Sequence, residues 1–234
     1  MNRQSQSSKS NWSLVKEKGE QYHLLKHPFY QAWSKGQLPK EALRTYAAQY
    51  YRHVAAFPTY LSALHARAEE GRARRVILEN LVDEEYKTPT HPELWLRFAE
   101  GLGLKRSEVE GAPTWRETGR VVSTFRRICA QQPLLEGIAL LYAYERMTPR
   151  VAATKARGLN EFYGIRSERA VRYFTLHEKL DRRHAAQWKR VLAKPVADRK
   201  QAKAAAQAVE EGMQSIWNLL TTVLERSGAG KAAC

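Results

Sequence analysis

His177, Asp181 and His184 stand in H-E-K-L-D-R-R-H, inside a segment whose spacing predicts one long helix from about Arg166 to Ala193. At ~100° per residue, positions i, i+4 and i+7 fall within ~60° of one another on a helix face. Two imidazoles and a carboxylate therefore point the same way. Burying such a cluster is costly unless a cation satisfies it. A first-row metal does so, and nitrogen with carboxylate donors suits iron, manganese or zinc. Taken alone, the same three residues also read as solvated or locally hydrogen-bonded side chains of an ordinary helix.

Three further residues extend the set. Glu145 ends the run L-L-Y-A-Y-E. The apolar residues before it imply a buried face, where an unpaired carboxylate is expensive or protonated. Its alternatives are a buried partner for an arginine, or a polar edge position like that of Arg146. Glu84 lies in N-L-V-D-E-E near a helix end, and His91 follows seven residues later across a proline-rich break. Each is weak alone. Asp83 and Glu85 flank Glu84, and His91-Pro92 also reads as a simple helix start.

The elements that must position these residues are helices. Gly and Pro are sparse among the 234 residues; Ala, Leu, Arg, Glu and Gln are abundant, and runs of Val, Ile and Thr are missing. That composition predicts an all-α protein. A helix is expected from Trp12 to about Lys26, and a short one opened by Pro28 through Phe29, Tyr30 and Trp33. Pro39 starts a long helix with Leu43, Tyr46, Tyr50, Val54 and Phe57 at helical spacing; Pro58 kinks or interrupts it before it resumes to about Glu70. Further helices are expected over Arg72 to Tyr86, Pro92 to Gly101, Pro113 to Ala130 and Leu134 to about Ala156. Asp198 can cap the last, which runs to about Arg226. With short turns between them, about seven main helices make a single compact bundle over residues 12–226. Residues 1–11 are expected to be a disordered tail and residues 227–234 a loose one.

Several function classes are disfavoured. No apolar stretch approaches the ~18 to 20 residues that span a bilayer. The N-terminus carries no signal-peptide core, so a soluble cytoplasmic protein is expected. Cys129 and Cys234 form no disulfide framework and no C-x-x-C, and Cys129 reads as a small core residue. The net charge is +15, from 39 basic and 24 acidic residues. The basic residues are scattered, as at Arg72, Arg74 and Arg75, or Arg126 and Arg127, and no nucleic-acid motif accompanies them. A solvated basic surface is the expectation, open to an acidic protein partner but not to nucleic acid.

Six segments together carry a family resemblance. They are H-P-F-Y-Q-A-W (27 to 33), N-L-V-D-E-E (80 to 85), H-P-E-L-W (91 to 95), L-L-Y-A-Y-E (140 to 145), K-A-R-G (155 to 158) and H-E-K-L-D-R-R-H (177 to 184). In this order and spacing the chain resembles the CADD-like proteins, named for the Chlamydia protein associating with death domains. These belong to the haem-oxygenase-like dimetal oxidases and share their fold with pyrroloquinoline-quinone synthase and the TenA proteins. The resemblance implies metal ligation by Glu84, His91, Glu145, His177, Asp181 and His184, none of which departs from the expected residue type. Three carboxylates would offset three of the four charges of two divalent ions, either two irons or one iron and one manganese. It further implies O2 as co-substrate, an external reductant and a homodimer.

The resemblance also implies a product. Family members supply para-aminobenzoate, a folate precursor, by consuming their own side chains. A tyrosine furnishes the ring and a lysine is implicated as the amino donor; the matching positions are Tyr30 and Lys155. The residues themselves leave plainer readings open: an anchoring aromatic at Tyr30, and at Lys155 a solvated lysine before a helix end. Tyr46, Tyr144 and Tyr173 are candidates to line the site, or core aromatics whose hydroxyls find one partner. Two alternatives to aminobenzoate synthesis stand beside it. One is the same dimetal scaffold oxidising a separate small molecule, and the other a non-enzymatic helical interaction module.

Overall fold

Side-chain caps and prolines fix several helix starts. His27 Nδ1 accepts from the Phe29 amide at 3.0 Å, with Pro28 in the first turn. The Thr90 hydroxyl caps the helix that opens at His91, and Asp198 accepts from the Lys200 amide at 3.0 Å. Each supplies an acceptor to an amide that the helix leaves without one.

The computed structural model describes residues 3–192 and 198–228, with side chains from residue 11 onward. The helices are α1 (Arg3–Gln21), α2 (Pro28–Trp33), α3 (Lys40–Arg67), α4 (Arg72–Leu81), α5 (His91–Gly101), α6 (Arg106–Glu110), α7 (Arg116–Gln131), α8 (Leu134–Glu161), α9 (Glu168–Leu192) and α10 (Arg199–Arg226). A 3-10 turn covers Leu24–Lys26, and a wide π-helical turn, Val82–Tyr86, extends α4. No strand occurs among the described residues, so the all-α expectation holds. None of these helices is long and apolar enough to cross a membrane.

Several boundaries differ from the sequence reading. The tail expected to be disordered over residues 1–11 is helical from Arg3. Elongating an existing helix adds one hydrogen bond per residue fixed, so polar residues can join a helix anchored further on. Pro58 does not interrupt α3, which runs unbroken through it. The short α6 was not expected, and α7 starts at Arg116 rather than Pro113. The largest consequence is at α8, which continues past Ala156 to Glu161. Of the C-terminal tail, residues 229–234 lie outside the described residues, as do Ala193 and its neighbours to residue 197.

α8 runs through the centre, packed along α9 on one side and α10 on another; α3 packs on α4, α5 and α7, and α1 covers α10. The buried side chains form one connected core that includes Cys129. Its largest members are aromatic: Trp33, Trp95, Trp188, Tyr30, Tyr46 and Tyr60 are all fully buried. Each such side chain removes roughly 150–250 Å² from water. This aromatic wall surrounds the polar residues described next.

Candidate metal centre

The π turn directs two consecutive carboxylates inward. Asp83 and Glu84 are both buried, while Val82, Glu85 and Tyr86 on the same turn face solvent. Such turns are uncommon and concentrate at functional sites. Across the cis Thr88-Pro89 bond the chain reaches His91 in the first turn of α5. His91 Nδ1 lies 2.6 Å from Glu84 Oε2. His177 of α9 completes this trio, its ring centroid 4.4 Å from that of His91. One donor atom from each of Glu84, His91 and His177 falls within 4.8 Å of the others. His177 Nδ1 donates to the Tyr173 carbonyl at 2.7 Å, which leaves Nε2 as the free donor atom.

A second trio comes from α8 and α9. His184 Nδ1 lies 3.7 Å from Asp181 Oδ1 and 3.9 Å from Glu145 Oε2. Its Nε2 is 3.0 Å from Asp83 Oδ2, so the ring donates there and turns Nδ1 toward the other two carboxylates. A carboxylate behind a ligating imidazole fixes its tautomer and raises its basicity. Asp83 also accepts from Lys87 and Arg183. Trp188 Nε1 donates to Glu145 Oε2. Glu145 Oε1 and His184 Nδ1 are buried and have no hydrogen-bond partner among the described residues. Glu84, Glu145, His177 and Asp181 line one cavity together with His53, Tyr144 and Tyr173.

The electrostatics are those of a site that cations complete. Burial, then the charge of Glu84, holds Glu145 well above the carboxylate range; burial and the charges of Glu145 and Glu84 do the same to Asp181. Burial pushes Glu84 up as well, but the charge and hydrogen bond of His91 outweigh it and leave Glu84 lowered. Burial and the neighbouring His91 push His177 down to about 3. Alone, the protein must protonate carboxylates to bury them together. Divalent ions would take the place of those protons, and three imidazoles with three carboxylates suit iron or manganese. The residues present fit a dinuclear centre on these grounds.

Beside it lies a second polar feature. Lys155 is not a solvated lysine before a helix end. It sits within the extended α8, 6% exposed. Its Nζ donates to the Tyr46 hydroxyl at 2.7 Å and stands 5.1 Å from the ring centroids of both Tyr30 and Tyr46. Tyr50, Trp95 and Phe174 close the cage. The Tyr30 and Tyr46 hydroxyls are 3.0 Å apart. Burial lowers Lys155 to about 7 and raises Tyr30 and Tyr46 well above the usual phenol range. From this cage a row of phenols leads back to the cavity. The Tyr46 and Tyr50 rings are 5.0 Å apart, and the Tyr50 hydroxyl is 2.9 Å from that of Tyr144.

The structure thus puts Glu84, Glu145, His177 and Asp181 on the wall of one cavity with Tyr144 and Tyr173, sets His91 against Glu84 and His184 beside Asp181, and holds Tyr30, Tyr46 and Lys155 in the adjoining cage. Sequence reasoning passed over Asp83, Trp188, Tyr50 and His53. Asp83 had no usable signal, because nothing in N-L-V-D-E-E sets it apart from the exposed Glu85. His53 had none: it is one polar residue on an apolar face of α3.

Comparison with known proteins identifies the family. The family model for an iron-containing redox enzyme of haem-oxygenase type matches residues 44–217. A 4-aminobenzoate synthase of Chlamydia pneumoniae is 41% identical over 216 residues, 92% of this chain and 96% of that protein. A TenA homologue from Pseudomonas syringae superposes with a TM-score of 0.78 at 16% identity, covering 95% of this chain and 93% of the other. A CADD-like protein from Nostoc punctiforme gives 0.72 at 14% identity, covering 93% and 98%. The two structures share the fold, and the family match carries the chemistry: this chain belongs to the haem-oxygenase-like family of iron-containing redox enzymes.

Proposed function

We propose that this enzyme makes 4-aminobenzoate from its own Tyr30, with Lys155 as amino donor, once per polypeptide. The observation that carries the reading is the Lys155 amine, buried 5.1 Å from the Tyr30 ring centroid and joined to it through Tyr46. The name of the Chlamydia pneumoniae relative supports the product.

The chemistry follows from comparing the two molecules. Tyrosine carries Cβ and an oxygen para to each other; 4-aminobenzoate carries a carboxyl carbon and a nitrogen. Conversion requires Cα–Cβ cleavage, oxidation of Cβ to a carboxylate, and replacement of the phenolic oxygen by nitrogen. Held by Glu84, His91, Glu145, His177, Asp181 and His184, two irons or an iron and a manganese would supply reductive activation of O2, with electrons from an external reductant. The protein does the rest. Tyr144, Tyr50 and Tyr46 form a row along which an electron can leave Tyr30. Tyr46 can take the Tyr30 proton. A lysine lowered to about 7 presents a free amine near neutral pH. The cavity holds about 10 Å³, roughly the room of one water molecule. That favours a side chain over a separate aromatic substrate.

The test is isotopic. Full-length chain made with ring-labelled tyrosine is loaded with iron, reduced and exposed to O2 in the presence of unlabelled tyrosine. Label is expected in the product, and the peptide spanning residue 30 should lose its side-chain mass. Unlabelled product would refute self-consumption. Sustained turnover on an added compound would select a separate substrate instead.

A further inference from the structure

The outer face of the ligand-bearing turn is apolar. Leu78, Val82 and Tyr86 are 44%, 37% and 83% exposed, and they recur every four residues along α4 and the π turn. A single exposed apolar side chain is ordinary, but a stripe at helical spacing marks a surface that another molecule covers. On the inner side of this same turn are the buried Asp83 and Glu84. One helix diameter, about 10 Å, separates the stripe from the candidate ligands.

The surroundings are basic. Lys87 and Arg183 are largely exposed and both reach Asp83 from the surface. Arg72, Arg75 and Arg190 line the adjoining groove and make no ion pair among the described residues. Against these five cations stand Glu79, Asp83 and Glu85. Two copies of the chain meeting here about a two-fold axis would set like charge against like. An acidic partner meets complementary charge instead.

We infer that this stripe, with its arginine flank, is the docking surface for a small acidic electron-carrier protein that reduces the metal centre. The inference rests on the dimetal oxidase reading, which leaves the reductant unassigned. Each encounter moves one electron from the carrier's reduced centre to the enzyme's metal centre; the carrier is oxidised, the centre is reduced, and no bond forms or breaks. Asp83, bonded both to the surface cations and to His184 Nε2 at 3.0 Å, links the docking face to the site.

The probe is an acidic [2Fe–2S] ferredoxin. Its binding to the full chain is titrated by calorimetry, and its anaerobic reduction of the iron-loaded enzyme is followed by stopped flow. Two double variants are compared with wild type: Leu78→Ser with Tyr86→Ser, and Arg75→Glu with Arg190→Glu. Both should lower the bimolecular rate constant by about tenfold or more, and the charge reversal should also flatten its salt dependence. Dithionite should reduce all three proteins equally, and bound iron should be unchanged. Wild-type rates with ferredoxin in both variants would overturn the proposal. So would a wild-type dimer in sedimentation that both variants dissociate, because the stripe would then belong to a second copy. Failure to hold iron in the wild type sinks the oxidase reading itself; insensitivity of the variants with iron in place sinks only the docking surface.

Discussion

Lys155 Nζ donates to the Tyr46 hydroxyl at 2.7 Å, a bond that ties α8 to α3 across 109 residues of sequence. The amine has no water-exposed alternative, so Tyr46 fixes where its nitrogen sits relative to the Tyr30 ring. Removing that hydroxyl strips a buried donor of its partner and the Tyr30 hydroxyl of its neighbour. Tyr46→Phe should lower stability by about 1–3 kcal/mol and reduce the yield of 4-aminobenzoate per chain. Urea denaturation and mass spectrometry of the product check the two effects. An unchanged yield would remove Tyr46 from the proposed chemistry.

The depressed lysine makes stability depend on pH in a definite direction. Burial takes Lys155 from 10.5 to about 7. Between those values the unfolded chain holds a proton that the folded chain lacks, so stability must rise with pH across that window. The penalty of burying the charged form is fully present below about 7 and gone by about 10.5. Lys155→Met removes the titration. Urea midpoints at pH 7, 8, 9 and 10 should show wild type gaining on the variant as pH rises. Parallel curves would mean that the lysine keeps an ordinary proton affinity.

Asp83 accepts from His184 Nε2 at 3.0 Å, so on the proposed dimetal reading it supports that imidazole from behind. Asp83→Asn keeps the size of the side chain but withdraws the negative charge behind the imidazole. Metal affinity should fall by about 10–100-fold, read by competition with a chelator. Arg182→Ala, which loses only an exposed pair with Glu178, should leave affinity unchanged. Equal affinity in wild type and Asp83→Asn would dismiss the supporting role.

Gly158 lets Trp33 approach α8. A Cβ there would lie 2.6 Å from Trp33 Cδ1 and 3.2 Å from the Trp33 carbonyl oxygen. Trp33 in turn packs on Tyr46 with ring centroids 5.7 Å apart. Gly158→Ala should therefore cost about 1–3 kcal/mol by overpacking and disturb the cage, lowering product yield as well. Gly119→Ala is the contrast, because nothing lies nearer than 4.0 Å; it should stabilise α7 by about 0.5–1 kcal/mol. Thermal melts of the two variants should move in opposite directions.

Local pattern carried a large share of this structure. The helical spacing of His177, Asp181 and His184 places all three on the buried face of α9, as three residues on one helix must be whenever that face is inward. Pro28 and Pro92 marked the starts of α2 and α5 through chemistry confined to a few residues; the caps from His27 and Thr90 emerged only in the structure. The six-segment resemblance supplied what periodicity could not, namely that Glu84, His91 and Glu145 belong with them.

Other features depended on how helices cross. Asp83 and Glu84 both face inward because a π turn alters the rotation per residue, and nothing in N-L-V-D-E-E alone distinguishes it from an α-helical turn. Lys155 is caged because α8 runs on to Glu161 and Gly158 admits Trp33, which brings the aromatic residues of α2, α3, α5 and α9 around one amine. His53 reached the cavity wall from the middle of α3 with no signal in its neighbours. Hydrophobic period and capping are properties of a few consecutive residues, so the chain alone determined most of the helices and one row of candidate metal donors. The burial, partners and proton affinities of Asp83, Lys155 and Glu145 depend on side chains distant in sequence, and only packing decided those.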